Sequence, residues 1–207
     1  MTTLDRRSLL VGAGASLALA GCGRGTQEAV YIPAAGRAGR LIAAARQQIG
    51  ITLRWDGAYS ELAFPRGDVP REKGSCTDVI VRAYRDAFGL DLQALVNADM
   101  RRNFEAYPRS WGLRRPDPNI DHRRVPNLRT WLTRQGALLP VPRDAGGWRP
   151  GDIFTSLVEN RSTHIGLVSD RPAPNGWLII HNIGLGTREE DALANWPVTG
   201  RYRWSLG

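Results

Sequence analysis

Three short runs rich in β-branched and apolar residues, Ile153 to Val158, Thr163 to Val168 and Trp177 to His181, follow one another closely. Runs of this length, separated by turn formers, predict neighbouring antiparallel strands. Ser169 to Gly176 contains Pro172, Pro174 and Asn175-Gly176 and is expected to be the loop joining the last two runs. A symmetric closure that sets Ser169 against Gly176 also sets His164 against His181. The two imidazoles would then face each other with Cβ atoms about 5 Å apart, unless a bulge shifts the register.

Upstream of the strands the pattern is helical. Val79, Ile80, Ala83, Tyr84, Ala87 and Phe88 recur at helical spacing behind Gly74-Ser75-Cys76, and Gly89 supplies a stop. Cys76 therefore falls in the first turn, on the inward face. Unpaired N–H groups and the helix dipole there favour a thiolate, so a depressed thiol pKa is expected. Arg40 to Ile49 and Asn127 to Leu139 read as further helices, and Gly200 to Trp204 as a closing strand. Helices first and strands afterwards give an α+β domain, with helices packed on an antiparallel, partly barrel-like sheet. The length of 207 residues, 42% of them apolar, suffices for one packed core.

The first segment reads as an address rather than as structure. Arg6-Arg7 precede an apolar stretch, Ser8 to Ala20, that is too short to span a bilayer. It ends in Leu19-Ala20-Gly21-Cys22, which resembles a bacterial lipobox, and the paired arginines resemble a twin-arginine export signal. The expected organisation is a signal peptide over 1–21, a lipid-anchored tether over 22–37 and one domain over 38–207. Such a chain is exported and held by lipid on Cys22 at the periplasmic face. Gly23 in place of an aspartate favours the outer membrane of a two-membrane cell. The protein has two cysteines, so the lipobox leaves Cys76 without a disulfide partner in an oxidising compartment. An unpaired thiol there either hides in a core or does chemistry.

A cysteine on a helix and two histidines on a facing hairpin allow three readings. In a thiol hydrolase one imidazole takes the thiol proton and the other fixes its tautomer. In a zinc site Cys76, His164, His181 and His122 or an aspartate would be ligands, although no short metal-binding spacing is present. In the third reading each group is simply satisfied within the fold. Asn119 to Asn127 concentrates charge around His122, Arg123 and Arg124. It is either a substrate loop whose arginines meet carboxylates or a loop held by internal salt bridges. The formal charge of +8 fits an anionic partner. The scattered arginines, without interleaved aromatics, argue against nucleic acid.

The ordered set Ser75-Cys76-Thr77-Asp78-Val79, Arg149-Pro150-Gly151-Asp152-Ile153, His164-Ile165-Gly166-Leu167 and Ile180-His181-Asn182 resembles the NlpC-type cell-wall peptidases of the papain superfamily. Gly67-Asp68-Val69-Pro70, Cys76-Thr77-Asp78-Val79, Asn119 to Leu128 and His181-Asn182-Ile183-Gly184 resemble, more closely, a bacterial family of domains of unknown function in that clan. This second match covers roughly residues 40 to 204. The resemblance implies a papain-like fold with Cys76 as nucleophile, His164 as general base and acid, and His181 as the orienting third member. It also departs from the peptidases. Thr77-Asp78 replaces a small pair after the cysteine, with Asp78 set to raise the thiol pKa. The tyrosine that lines the oxyanion site has only Tyr59 or Trp55 as candidates, and the hairpin between the histidines is longer.

The expectation is a cysteine peptidase or amidase acting on cell-wall peptides or another amide or acyl substrate through a thioacyl intermediate. Tyr59, Asp78, His122, Arg123, Arg124 and Asn182 are its candidate substrate-binding residues, and no cofactor or metal is called for. The rivals are an inactive hydrolase-fold lipoprotein that binds wall peptides or a protein partner, and a zinc-dependent hydrolase.

Overall fold

The computed structural model describes Tyr31 and residues 33–204, so the signal segment and Cys22 lie outside the described residues. Helices come first: α1 (Gly36–Arg46), α2 (Cys76–Phe88), α3 (Leu92–Asn103) and α4 (Val125–Arg134). A short parallel pair, β1 (Arg54–Trp55) and β2 (Lys73–Gly74), interrupts them. The strands β3 (Leu138–Leu139), β4 (Ile153–Val158), β5 (Ser162–Ala173), β6 (Gly176–Asn182), β7 (Thr187–Glu190) and β8 (Val198–Tyr202) follow. They form one antiparallel sheet in the order β3-β8-β4-β5-β6-β7. The α+β class stands, but the barrel-like expectation does not. β3 pairs over two residues only, too short to carry the ladder round to β7, and the sheet stays open.

α2 is the hub. Asp78 reaches back to accept the Ser75 N–H at 2.6 Å, and Gly89, at φ 71°, closes the far end. Its residues from Cys76 through Tyr84 are all buried, so this helix has no solvent-exposed face over its first two turns. Leu41, Ile42 and Ala45 of α1 cover it from one side, and Ile165, Leu167 and Ile180 of the sheet from the other. Trp148, Phe154, Val168, Ile179 and Leu193 form a second core on the opposite face of the sheet. Both faces are therefore covered, which explains why β4 is buried over its first four residues instead of alternating.

Several boundaries move. α1 begins at Gly36, not Arg40, and Asp170 accepts hydrogen bonds from the Ala34 N–H (2.9 Å) and the Tyr31 hydroxyl (3.2 Å). The expected tether through residue 37 therefore gives way, from Tyr31 onward, to chain docked on the sheet. α4 stops at Arg134 because Gly136, at φ 71°, turns the chain into β3. α3, capped by Asp91 accepting the Gln93 N–H at 3.2 Å, was not expected. Leu92, Val96 and Met100 bury its inner face at helical spacing.

The hairpin differs most. β5 runs on to Ala173, and the connection is the two-residue turn Pro174-Asn175, so the loop expected over 169–176 is largely strand. Near the turn Pro172 pairs with Trp177, but deeper in the sheet Leu167 pairs with Ile180 and Val168 with Ile179. Proline has no N–H to continue the ladder, and a register shift lies between Val168 and Pro172. Continued inward, this register sets His181 beside Gly166 and not beside His164. The expected pairing is thus displaced by two residues, which keeps both histidines on one face.

Candidate active site

The ladder between β5 and β6 begins at Leu167 and Ile180; before it, toward His164 and Asn182, the two strands part. The N-terminus of α2 meets both arms of this fork. On one arm the Ile165 backbone N–H faces the Cys76 sulfur and favours its charged form. On the other, Asn182 Nδ2 donates to the Gly74 carbonyl at 2.8 Å. Each gripping residue directly follows a histidine, so the backbone beside His164 and His181 holds the head of α2, while the two rings themselves do not contact Cys76. Strand alternation sends Ile165 to the helix side. The rings of His164 and His181 turn to the other face, beside Phe154 and Trp196.

On that face the two imidazoles do meet, as a diagonal pair. His164 Nε2 lies 2.9 Å from His181 Nδ1, and His181 Nε2 lies 2.8 Å from Glu190 Oε1. The chemistry of the last member fixes the rest. A carboxylate only accepts, so His181 carries its proton on Nε2 and presents a bare Nδ1. His164 must then donate from Nε2, which leaves its Nδ1 as the proton acceptor. Gly166 makes the diagonal possible. A Cβ there would stand 2.6 Å from the Phe154 ring and 3.0 Å from the His181 Cβ.

The expected depressed thiol pKa is overturned. Burial pushes Cys76 up to about 11, and the Asp78 charge adds to the rise. The backbone N–H groups of Ile165, Thr77 and Cys76 pull the other way without prevailing. Only 7% of Cys76 is exposed, so loss of solvent outweighs the helix N-terminus. Burial likewise holds His164 down to about 3, with the His181 charge opposing its protonation further, and it lowers His181 against the pull of Glu190. In this state thiol and imidazole are both neutral.

The candidate substrate residues are mostly spent inside the fold. Arg123, expected to meet substrate, clasps Asp78 at 2.9 Å and bonds the carbonyls of Asp56 (2.8 Å) and Ala58 (2.9 Å). Both side chains of the pair are buried, since neither charge can leave water without the other. Arg124 pairs with Asp121 at 3.2 Å and stacks over Trp111. His122 is buried with Nδ1 unpartnered, and burial holds it down to about 4. The charged loop is thus the internally bonded alternative, and it fixes the entrance of α2. Asn182, fully buried, is likewise a structural brace. Tyr59 is exposed, its hydroxyl accepting from Asn119 Nδ2 at 2.9 Å, and Trp55 is half exposed.

Among the described residues no group of three His, Cys, Asp or Glu side chains could hold a metal ion. Both nitrogens of His181 are engaged, so the zinc reading finds no ligand set here. Sequence reasoning missed Glu190. Its signal was the Thr187-Arg188-Glu189-Glu190 run after the Gly184-Leu185-Gly186 turn. β7 pairs Arg188 with His181, so the carboxylate two residues on reaches the imidazole diagonally.

This open α+β sheet with a helix seated in its fork is the fold of one domain, and residues 42–204 match the family described as Domain of unknown function (DUF1287). The chain belongs to that family. It is also 52% identical over 161 residues to a protein of Escherichia coli (strain K12) named "Uncharacterized protein YijF", covering 77% of this chain and 78% of that one. No solved structure matches the chain.

Proposed function

We propose that the protein is an exported lipoprotein with a papain-like thiol hydrolase domain, cleaving amide bonds of cell-wall peptides through Cys76. The observation that carries this reading is the fork. It sets a helix-N-terminal cysteine against residues flanking two hydrogen-bonded histidines whose tautomers Glu190 fixes. For turnover the His164 ring turns from the Phe154–Trp196 face toward Cys76, where Nδ1 takes the thiol proton as sulfur attacks the carbonyl, because a neutral pair cannot wait as a preformed ion pair. The imidazolium so formed donates from Nε2 to His181, which hands charge stabilisation on to Glu190. The developing oxyanion draws on the Cys76 backbone N–H. His164 then returns the proton to the leaving amine, and water activated by the same nitrogen releases the thioacyl enzyme.

A second reading rests on one observation, the buried and neutral thiol. A hydrolase-fold lipoprotein that only binds wall peptides or a protein partner has no need of a reactive sulfur. Alkylation separates the two readings. A Cys22→Ser chain carries Cys76 as its single thiol, and its chloroacetamide rate near neutral pH is measured with and without His164→Ala. A rate that falls at least about tenfold in the variant identifies assisted proton removal. A rate indifferent to His164 refutes the hydrolase.

A further inference from the structure

Ile49, Ile51, Leu53 and Trp55 are all large apolar residues, and each is between 40% and 63% exposed. Ile183 (38%) and Leu185 (71%) add to them from the turn after β6. Hydrogen bonding places the two segments side by side. The Trp55 N–H donates to the Gly184 carbonyl at 2.9 Å and the Thr187 N–H to the Thr52 carbonyl at 2.9 Å. Gly186 packs so closely on Thr52 and Leu53 that no Cβ would fit. The result is one continuous apolar ridge, with the exposed Arg54 and Arg188 in it and Glu72 at its margin. Scattered surface leucines need no explanation, but six large apolar groups along one ridge do.

The position of the N-terminal chain indicates what covers it. Tyr31 and Ala34 are bonded to Asp170, and Arg46, at the end of α1, joins Asp170 at 2.6 Å, Glu189 at 2.6 Å and the Tyr31 hydroxyl at 3.4 Å. The chain therefore enters the described fold beside Arg46, three residues before the ridge begins at Ile49. Eight residues lie between Cys22 and Tyr31, a reach of at most about 30 Å. A lipid on Cys22 would hold this corner of the domain against the bilayer.

We infer that the ridge is a membrane-contact surface, seated on a phospholipid bilayer when the chain is anchored. This rests on the lipoprotein part of the proposed function and is independent of the thiol chemistry. Apolar side chains settle at the headgroup–acyl boundary while arginines hold anionic headgroups. Asn182 Nδ2 also touches the Arg54 carbonyl at 3.4 Å, so the ridge and the fork of Cys76 share one rigid base. Substrate would reach the thiol close to the membrane surface.

The test uses the mature, full-length protein isolated from membranes and reconstituted in phosphatidylcholine–phosphatidylglycerol vesicles with brominated acyl chains. The Trp55 contribution is the emission lost in Trp55→Phe. We expect bromine to quench that contribution, and Leu53→Asp with Leu185→Asp to abolish the quenching at an unchanged thermal midpoint. Mass spectrometry of the mature N-terminus separates the two layers of the inference. An unmodified Cys22 removes the anchor and the membrane surface with it. A lipid-bearing chain whose Trp55 stays unquenched removes the ridge assignment alone. Shielding of Trp55 in a self-associated, unquenched protein would assign the ridge to a second copy and overturn the inference.

Discussion

Acidification should unfold this protein through its buried histidines before its carboxylates titrate. Burial holds His122 down to about 4 and His164 to about 3, against an ordinary value of 6.5. The folded chain keeps both rings neutral, whereas the unfolded chain protonates them below that ordinary value. Their contribution to stability is therefore full above it and is lost as the pH falls, until each folded-state value is passed. At about 1.4 kcal/mol per pH unit, acidification from neutrality to about pH 5 removes about 2 kcal/mol for each ring. His181 is lowered in the same direction and adds to the loss. Asp56, Asp99, Asp170 and Glu189 are held below the usual carboxylate range by their partners. Their contributions disappear only as the pH falls below about 4, outside this window.

The perturbation is His122→Leu. His122 Nδ1 has no partner, so an apolar replacement of similar size forfeits no hydrogen bond at that atom. Urea unfolding followed by tryptophan fluorescence at pH 7 and at about pH 5 gives the difference directly. The variant should lose about 2 kcal/mol less than the wild type between the two conditions. Equal losses would mean that His122 is protonated in the folded state, and the reasoning from its burial would fail.

Three further outcomes are expected. Arg123→Met leaves Asp78 buried without its partner and should cost about 3–5 kcal/mol, while Asp78→Asn combined with Arg123→Met should cost less than the sum; strict additivity in the urea cycle would mean that the pair is uncoupled. Gly166→Ala brings a methyl against Phe154 and His181 and should cost about 1–3 kcal/mol. Its histidine NMR signals should move as well, and an unshifted spectrum with an unchanged midpoint would contradict the close approach. Glu190→Ala removes the acceptor that fixes the imidazole tautomers. Nitrogen-15 NMR should then show His181 losing its preference for an Nε2 proton, and an unchanged tautomer would break the relay.

Much of this molecule is written locally. Cys76 at the head of a helix, Gly89 at its end and the extent of β4 follow from capping chemistry and apolar spacing within a few residues. The meeting of His164 with His181 was also legible, because strand alternation preserves a face even when the register slips by two. The slip itself depends on where Pro172 forces the ladder to shift, which turn residues alone do not specify. α3 was readable from Leu92, Val96 and Met100 but lay between stronger signals. The domain, its α+β class and its histidine pair are thus determined by periodicity and turn chemistry. Tertiary structure alone decided the charge states and partners. Arg123 and Asp78 become a structural clasp because packing removes water from both, and the same desolvation overrides the helix dipole at Cys76. Glu190 joins the histidines only because β7 folds back beside β6. Burial and long-range pairing depend on every neighbour at once, and no short stretch of chain encodes them.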